Sequence, residues 1–127
     1  MQKVGILYIC TGKYDIFWKD FYLSCENFFL NDVDQNGIKR FEKHYFVWTD
    51  AQEIFGEGEN SKIKKIYQEN LGWPDNTLMR YSIFLREKEE LNNFDYLIFF
   101  NANIIFCDII SSLNFLPNSV DEKFIAV

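Results

Sequence analysis

Three short stretches of the chain are apolar without interruption, and each stops at a polar cluster. They are VGILYIC (residues 4–10) before TGKY, YFVW (residues 45–48) before TD, and YLIFF (residues 96–100) before NAN. A strand with one face in water alternates apolar and polar residues, whereas a strand covered on both faces does not. Continuous runs of this length therefore call for a sheet buried between two layers, which in practice means parallel strands linked by helical crossovers.

The intervening sequence supplies those crossovers. Between the first two runs, residues 15–29 place Phe17, Phe21, Cys25 and Phe28 at spacings of four, four and three, one stripe of a helix, with Asp15 as its N-cap. NDVDQNG is a polar loop, and AQEIFGEGENSK, with two glycines among acids and amides, is a surface loop. KIKKIY suits a short strand with a solvated basic face. From Asn76, NTLMRYSIFLREKEEL has Leu78, Tyr81 and Leu85 on one side, and Pro74 just before it suits a helix start. EKEELNN then reads as a solvated face. The final FIAV resembles the start of one more strand, so the chain looks cut rather than finished.

The order strand, helix, strand, strand, helix, strand predicts an α/β, Rossmann-like layered fold with a mainly parallel sheet and flanking helices. In such sheets ligands sit beyond the carboxyl ends of the strands, so the polar clusters should crowd one edge.

At 127 residues the chain fits one domain large enough for a real core, and its 14 Phe suggest broad aromatic packing. A net charge of −6 disfavours nucleic acid and anionic membrane surfaces as partners. Cys10, Cys25 and Cys107 are widely spaced and odd in number, which argues for reduced thiols rather than a disulfide framework or a zinc site. The seven-residue apolar run near the start is too short for a membrane helix and lacks a cleavage signal, so a cytoplasmic protein is expected.

The chemistry concentrates at Asn101-Ala102-Asn103. On its own this cluster reads as a turn. With Asp at both positions the spacing would suit a metal–diphosphate site. An amide is a weaker neutral ligand, yet its NH₂ donates directly to phosphate or sugar oxygens.

HYFVWTD (residues 44–50), Trp73 seven residues before Arg80, and DYLIFFNAN (residues 95–103), together with TGKYDIFWKDFYLSCENFF near the start, resemble glycosyltransferase family 6. This is the family of the histo-blood-group A and B transferases and the α-1,3-galactosyltransferases, and the resemblance is to its bacterial, metal-independent Asn-x-Asn type. It covers nearly the whole chain.

The resemblance implies a GT-A type fold. Residues 1–127 would form the donor-binding part of one catalytic domain, and the acceptor-binding part would be absent. It implies a retaining transfer of N-acetylgalactosamine or galactose from a UDP-sugar to a galactose-containing, fucosylated acceptor in α-1,3 linkage, without a metal or other cofactor.

Ile9, Cys10, Thr11 and Tyr14 would hold the uridine. Asn76, Arg80, Asn101, Ala102 and Asn103 would meet the donor sugar and diphosphate, and Lys13 could join Arg80 in balancing the leaving group's charge. No catalytic nucleophile is implied in these residues. The plainer readings are that Tyr14 is a surface aromatic, that Arg80 pairs with Glu87, and that His44 is structural and without a partner. Trp73-Pro74 would be a packed turn. Asp50 caps a helix or faces a ribose. A non-catalytic nucleotide-binding or interaction module is the alternative function.

Overall fold

The computed structural model describes residues 1–71, 80–115 and 124–126. Five strands form one sheet in which every pairing is parallel: β1 (Gln2–Ile9), β2 (Phe41–Thr49), β3 (Ile63–Tyr67), β4 (Tyr96–Phe100) and β5 (Phe124–Ala126). Their order is β3-β2-β1-β4-β5. The sheet grows outward from β1 to β3, then restarts on the other side of β1 with β4. That reversal is the topological switch point of a doubly wound, Rossmann-like α/β fold.

Alternation along β1 assigns its side chains to two cores. Val4, Ile6, Tyr8 and Cys10 pack with Trp18, Phe21, Tyr22 and Cys25 of helix α1 (Trp18–Phe28). Leu7 packs on the opposite face with Ile83 and Phe84 of α2 (Arg80–Leu85) and Leu91 of α3 (Lys88–Leu91). Both faces of the central strand are thus sealed, which is why its sequence can be continuously apolar. The aromatic content is used in these layers: Tyr8 stacks on Phe21 with ring centroids 4.4 Å apart, and Phe29 on Phe106 at 4.7 Å. Among the described residues no helix is long and apolar enough to cross a membrane.

Several local expectations need correction. Asp15 does not cap α1. A 3-10 helix (Gly12–Phe17) precedes it, with Phe17 at the N-cap and no side-chain cap bond. The buried stripe uses Trp18 and Tyr22, while Phe17 and Phe28 are half-buried. The Trp18 indole Nε1 donates to the Phe55 carbonyl at 2.9 Å, anchoring the ring inward.

Among the described residues the second crossover holds two short helices where the sequence predicts one, and Leu85 is 64% exposed because Ile83 and Phe84 face the sheet. His44 has a partner: its Nε2 lies 2.8 Å from Glu42 Oε2, and its ring meets Phe94 edge-on. The charged faces expected to be only solvated meet each other, since Lys64 of β3 pairs with Glu87 and Glu90. Pro74, Trp73 and Leu78, and the side chains of Arg80 and Tyr81, lie outside the described residues.

One polar side chain is built into the α1-facing core. Lys43 of β2 is buried, and its Nζ donates to the carbonyls of Cys25 and Phe29 at 2.9 and 2.8 Å and to Asn31 Oδ1 at 3.1 Å. These carbonyls belong to the last turn of α1 and its C-cap, where a cation is favoured by the helix dipole. Glu26 adds its carboxylate 3.3 Å away, and that carboxylate also accepts from the Tyr45 hydroxyl. Replacing Lys43 with Ala leaves buried acceptors without a donor. Lys43→Ala is expected to lower the unfolding free energy by about 3 kcal/mol, read from the urea midpoint.

Candidate functional site at the carboxyl edge of the sheet

The ladder between β1 and β4 places Tyr8 opposite Phe100, so the segments after both strands leave the same edge side by side. Asp95 sets this register at the other end. Its carboxylate accepts the Lys3 amide at 2.7 Å, and its own amide donates to the Lys3 carbonyl at 2.9 Å. The segments that carry Ile9, Cys10 and Thr11 and Asn101, Ala102 and Asn103 therefore leave adjacent strands at the switch point, on the same edge of the sheet.

The β1 side is a tight loop. Cys10 N–H continues the ladder by donating to the Trp48 carbonyl at 2.9 Å, and the Tyr14 amide donates to the Thr11 carbonyl at 3.2 Å. Gly12 adopts φ +59°, the left-handed region that favours glycine, and its amide donates to Asp50 Oδ1 at 2.9 Å. A Cβ there would stand 2.6 Å from the Asn70 side-chain nitrogen. Asp50 thus caps the 3-10 helix from the end of the neighbouring strand. Cys10 is buried in the α1-facing core, and the buried Thr11 turns its hydroxyl to Asn70 Oδ1 at 3.5 Å, whereas Lys13 is exposed and Tyr14 is 45% exposed. The loop offers a ligand backbone, a cation and an aromatic face.

On the β4 side, the Ile104 amide donates to the Asn101 carbonyl at 3.2 Å and closes a turn over the amide pair. Asn101 and Asn103 are exposed. Phe106, just beyond, is tied to α1 by its amide donating to Ser24 Oγ at 3.0 Å. Asn76 lies outside the described residues, and Arg80 is the first residue of α2. Glu87 is held by Lys64 at 3.6 Å.

Sequence reasoning counted three polar strand ends and missed a fourth. QEN after β3 brings Gln68 and Asn70 to the same edge: Gln68 is buried with its backbone N–H donating to the Thr49 carbonyl, and Asn70 lies over Gly12. The signal was present, since KIKKIY also ends in a polar cluster.

Burial pushes the Cys10 thiol up from 9.0 to about 12, with the Asp15 and Asp50 carboxylates adding to the shift and a Thr49 hydrogen bond opposing it. Burial likewise raises Cys25 to about 12, while nearby Lys43 opposes the rise. Among the described residues no group of three His, Cys, Asp or Glu side chains is arranged to hold a metal ion.

The chain is 40% identical over 102 residues to the O-antigen biosynthesis glycosyltransferase WbnI of Escherichia coli. The match takes in 80% of this chain and 40% of that relative, so the chain spans less than half of the relative's length. No family model matches the chain.

The two thiols give a pH expectation. An acid whose native pKa is raised stabilises fully below its unfolded value, and the contribution is lost as pH climbs through the window up to the native value. Unfolding free energy should stay flat at neutral pH and fall between 9.0 and about 12. Each thiol contributes up to about 1.4 kcal/mol per pH unit to that fall. Urea unfolding across this range checks it, and Cys25→Ala should make the decline shallower.

Proposed function

We propose that this chain is the donor-binding part of a cytoplasmic, retaining glycosyltransferase with a GT-A type fold. It serves transfer of N-acetylgalactosamine or galactose from a UDP-sugar to a galactose-containing, fucosylated acceptor in α-1,3 linkage. One observation carries the reading. The Asn101–Asn103 turn follows β4 and the Cys10–Tyr14 loop follows β1, adjacent strands at the switch point, in a chain 40% identical over 102 residues to a glycosyltransferase of O-antigen biosynthesis.

In this reading the exposed Tyr14 ring stacks on the uracil. Ile9, Cys10 and Thr11 contribute through the backbone, because the Cys10 and Thr11 side chains are buried. The NH₂ groups of Asn101 and Asn103 donate to the diphosphate or the sugar hydroxyls, with Ala102 allowing close approach. Asn76 and Arg80 meet the donor sugar. A neutral amide pair is a poor ligand set for a hard divalent cation, so the reading includes none. The leaving diphosphate then needs fixed positive charge, supplied by Lys13 and Arg80 against the nearby Asp15 and Asp50. The acceptor site and the groups that complete the reaction belong to the length of the relative that this chain does not span.

The test is transfer from UDP-sugars in EDTA, by this chain joined to the part of the Escherichia coli relative that it does not span. Transfer unchanged by EDTA is the expected result. Loss in EDTA would show that a metal is used and overturn the amide reading. UDP binding without transfer would assign a non-catalytic nucleotide-binding module. Equal binding of all nucleoside diphosphates would leave a doubly wound domain unrelated to sugars.

A second expectation concerns the motif itself. Asn101→Asp with Asn103→Asp should make UDP affinity respond to Mn²⁺, and no response would mean that these side chains do not face the diphosphate.

A further inference from the structure

The Tyr8 hydroxyl donates to the Ala102 carbonyl at 2.7 Å, between residues 94 positions apart in the chain. We infer that Tyr8 is a positioning residue, holding the Asn101–Asn103 turn against the end of β1 so that both amides present to a diphosphate. This rests on the donor-binding reading above.

The backbone ladder between β1 and β4 ends at the pair Tyr8 and Phe100. Asn101 is the first residue beyond it, so the ladder does not fix the turn. The Tyr8 side chain extends the connection past that point by gripping the carbonyl that lies between the two asparagines. Its own geometry is tightly set. The residue is fully buried, stacks on Phe21, and has the Trp18 ring 5.5 Å away. With the ring immobilised from two sides, the hydroxyl has little freedom to lose on bonding, so its position is transmitted to the turn.

Burial also raises the hydroxyl's pKa well above its ordinary value, so it stays a donor at every physiological pH. Among the described residues, the other hydrogen bonds that bear on the turn are the one from the Ile104 amide to the Asn101 carbonyl, which is internal to it, and the Phe106 amide on Ser24, which holds the chain farther along. Ala102 and Ile104 also pack against the α1-facing core, but non-directional packing leaves the turn's orientation to the Tyr8 bond.

A tyrosine that merely satisfies its hydroxyl would affect all ligands alike. A positioning role separates them, because the uridine part contacts the Cys10–Tyr14 loop and only the diphosphate meets the amides. The experiment is calorimetric titration with UDP and with uridine of the joined protein described above, wild type and Tyr8→Phe, because this chain alone is expected to bind UDP poorly, alongside the NMR amide signals of Ala102 and Asn103.

UDP binding should weaken roughly fivefold in Tyr8→Phe, uridine binding should hold, and both amide signals should shift. Equal weakening of both ligands, or no weakening of UDP, overturns the inference. If wild type binds no UDP, it is the donor-binding reading that fails. The hold on the turn is then decided by the amide signals, and unmoved signals in a folded Tyr8→Phe overturn it.

Discussion

Burial of β1 on every side is the constraint from which the rest of the structure follows. The strand is hydrogen-bonded to β2 on one edge and β4 on the other, and Val4, Ile6, Leu7 and Tyr8 have no exposed surface. A strand so placed has no solvent face, and a slip of one residue would exchange the residues packed on α1 with those packed on α2 and α3. The Asp95–Lys3 bonds fix the register where β4 begins, and the Tyr8–Ala102 bond fixes it where β4 ends. The same pairing that builds the core therefore places the two strand ends that form the candidate site.

The site is electrostatically economical. The chain is acidic overall, and Asp15 and Asp50 stand close enough to the β1 loop to raise the Cys10 thiol. Asp50 is occupied in holding the Gly12 amide, so its charge partly serves the backbone geometry. In the proposed reading a phosphorylated ligand at this edge is met by amide donors and cations. Asn101, Asn103 and Lys13 are all exposed, and amides donate without adding to the negative field.

Much of this arrangement was legible in the sequence because it depends on pattern. Three uninterrupted apolar runs implied a covered parallel sheet, and their polar termini marked the edge from which the segments carrying Cys10, Thr11, Asn101 and Asn103 leave β1 and β4. The misses came where tertiary contacts override spacing. Asp15 is an adequate N-cap residue, but the Gly12–Phe17 3-10 helix, closed by Tyr14 on Thr11 and held by Asp50, takes the chain past it. Leu85 fits a helical stripe, yet Ile83 and Phe84 are the side chains that reach the sheet. Lys43 sits in a strand that reads as mixed polar and apolar, and nothing local indicates that its ammonium will end a helix 14 to 18 residues earlier.

By itself the sequence determined the fold class and the edge of the sheet that carries polar groups, because periodicity and burial are properties of each segment alone. It also set the residue types available at that edge: amides, a cation and an aromatic ring, together with the carboxylates of Asp15 and Asp50. Only the tertiary structure decided which strand ends are neighbours, because the order β3-β2-β1-β4-β5 is set by packing between segments far apart in the chain. It alone made Tyr8, which reads as one more apolar residue in a buried run, the group that ties the asparagine turn to β1, since that bond spans 94 positions and leaves no local trace.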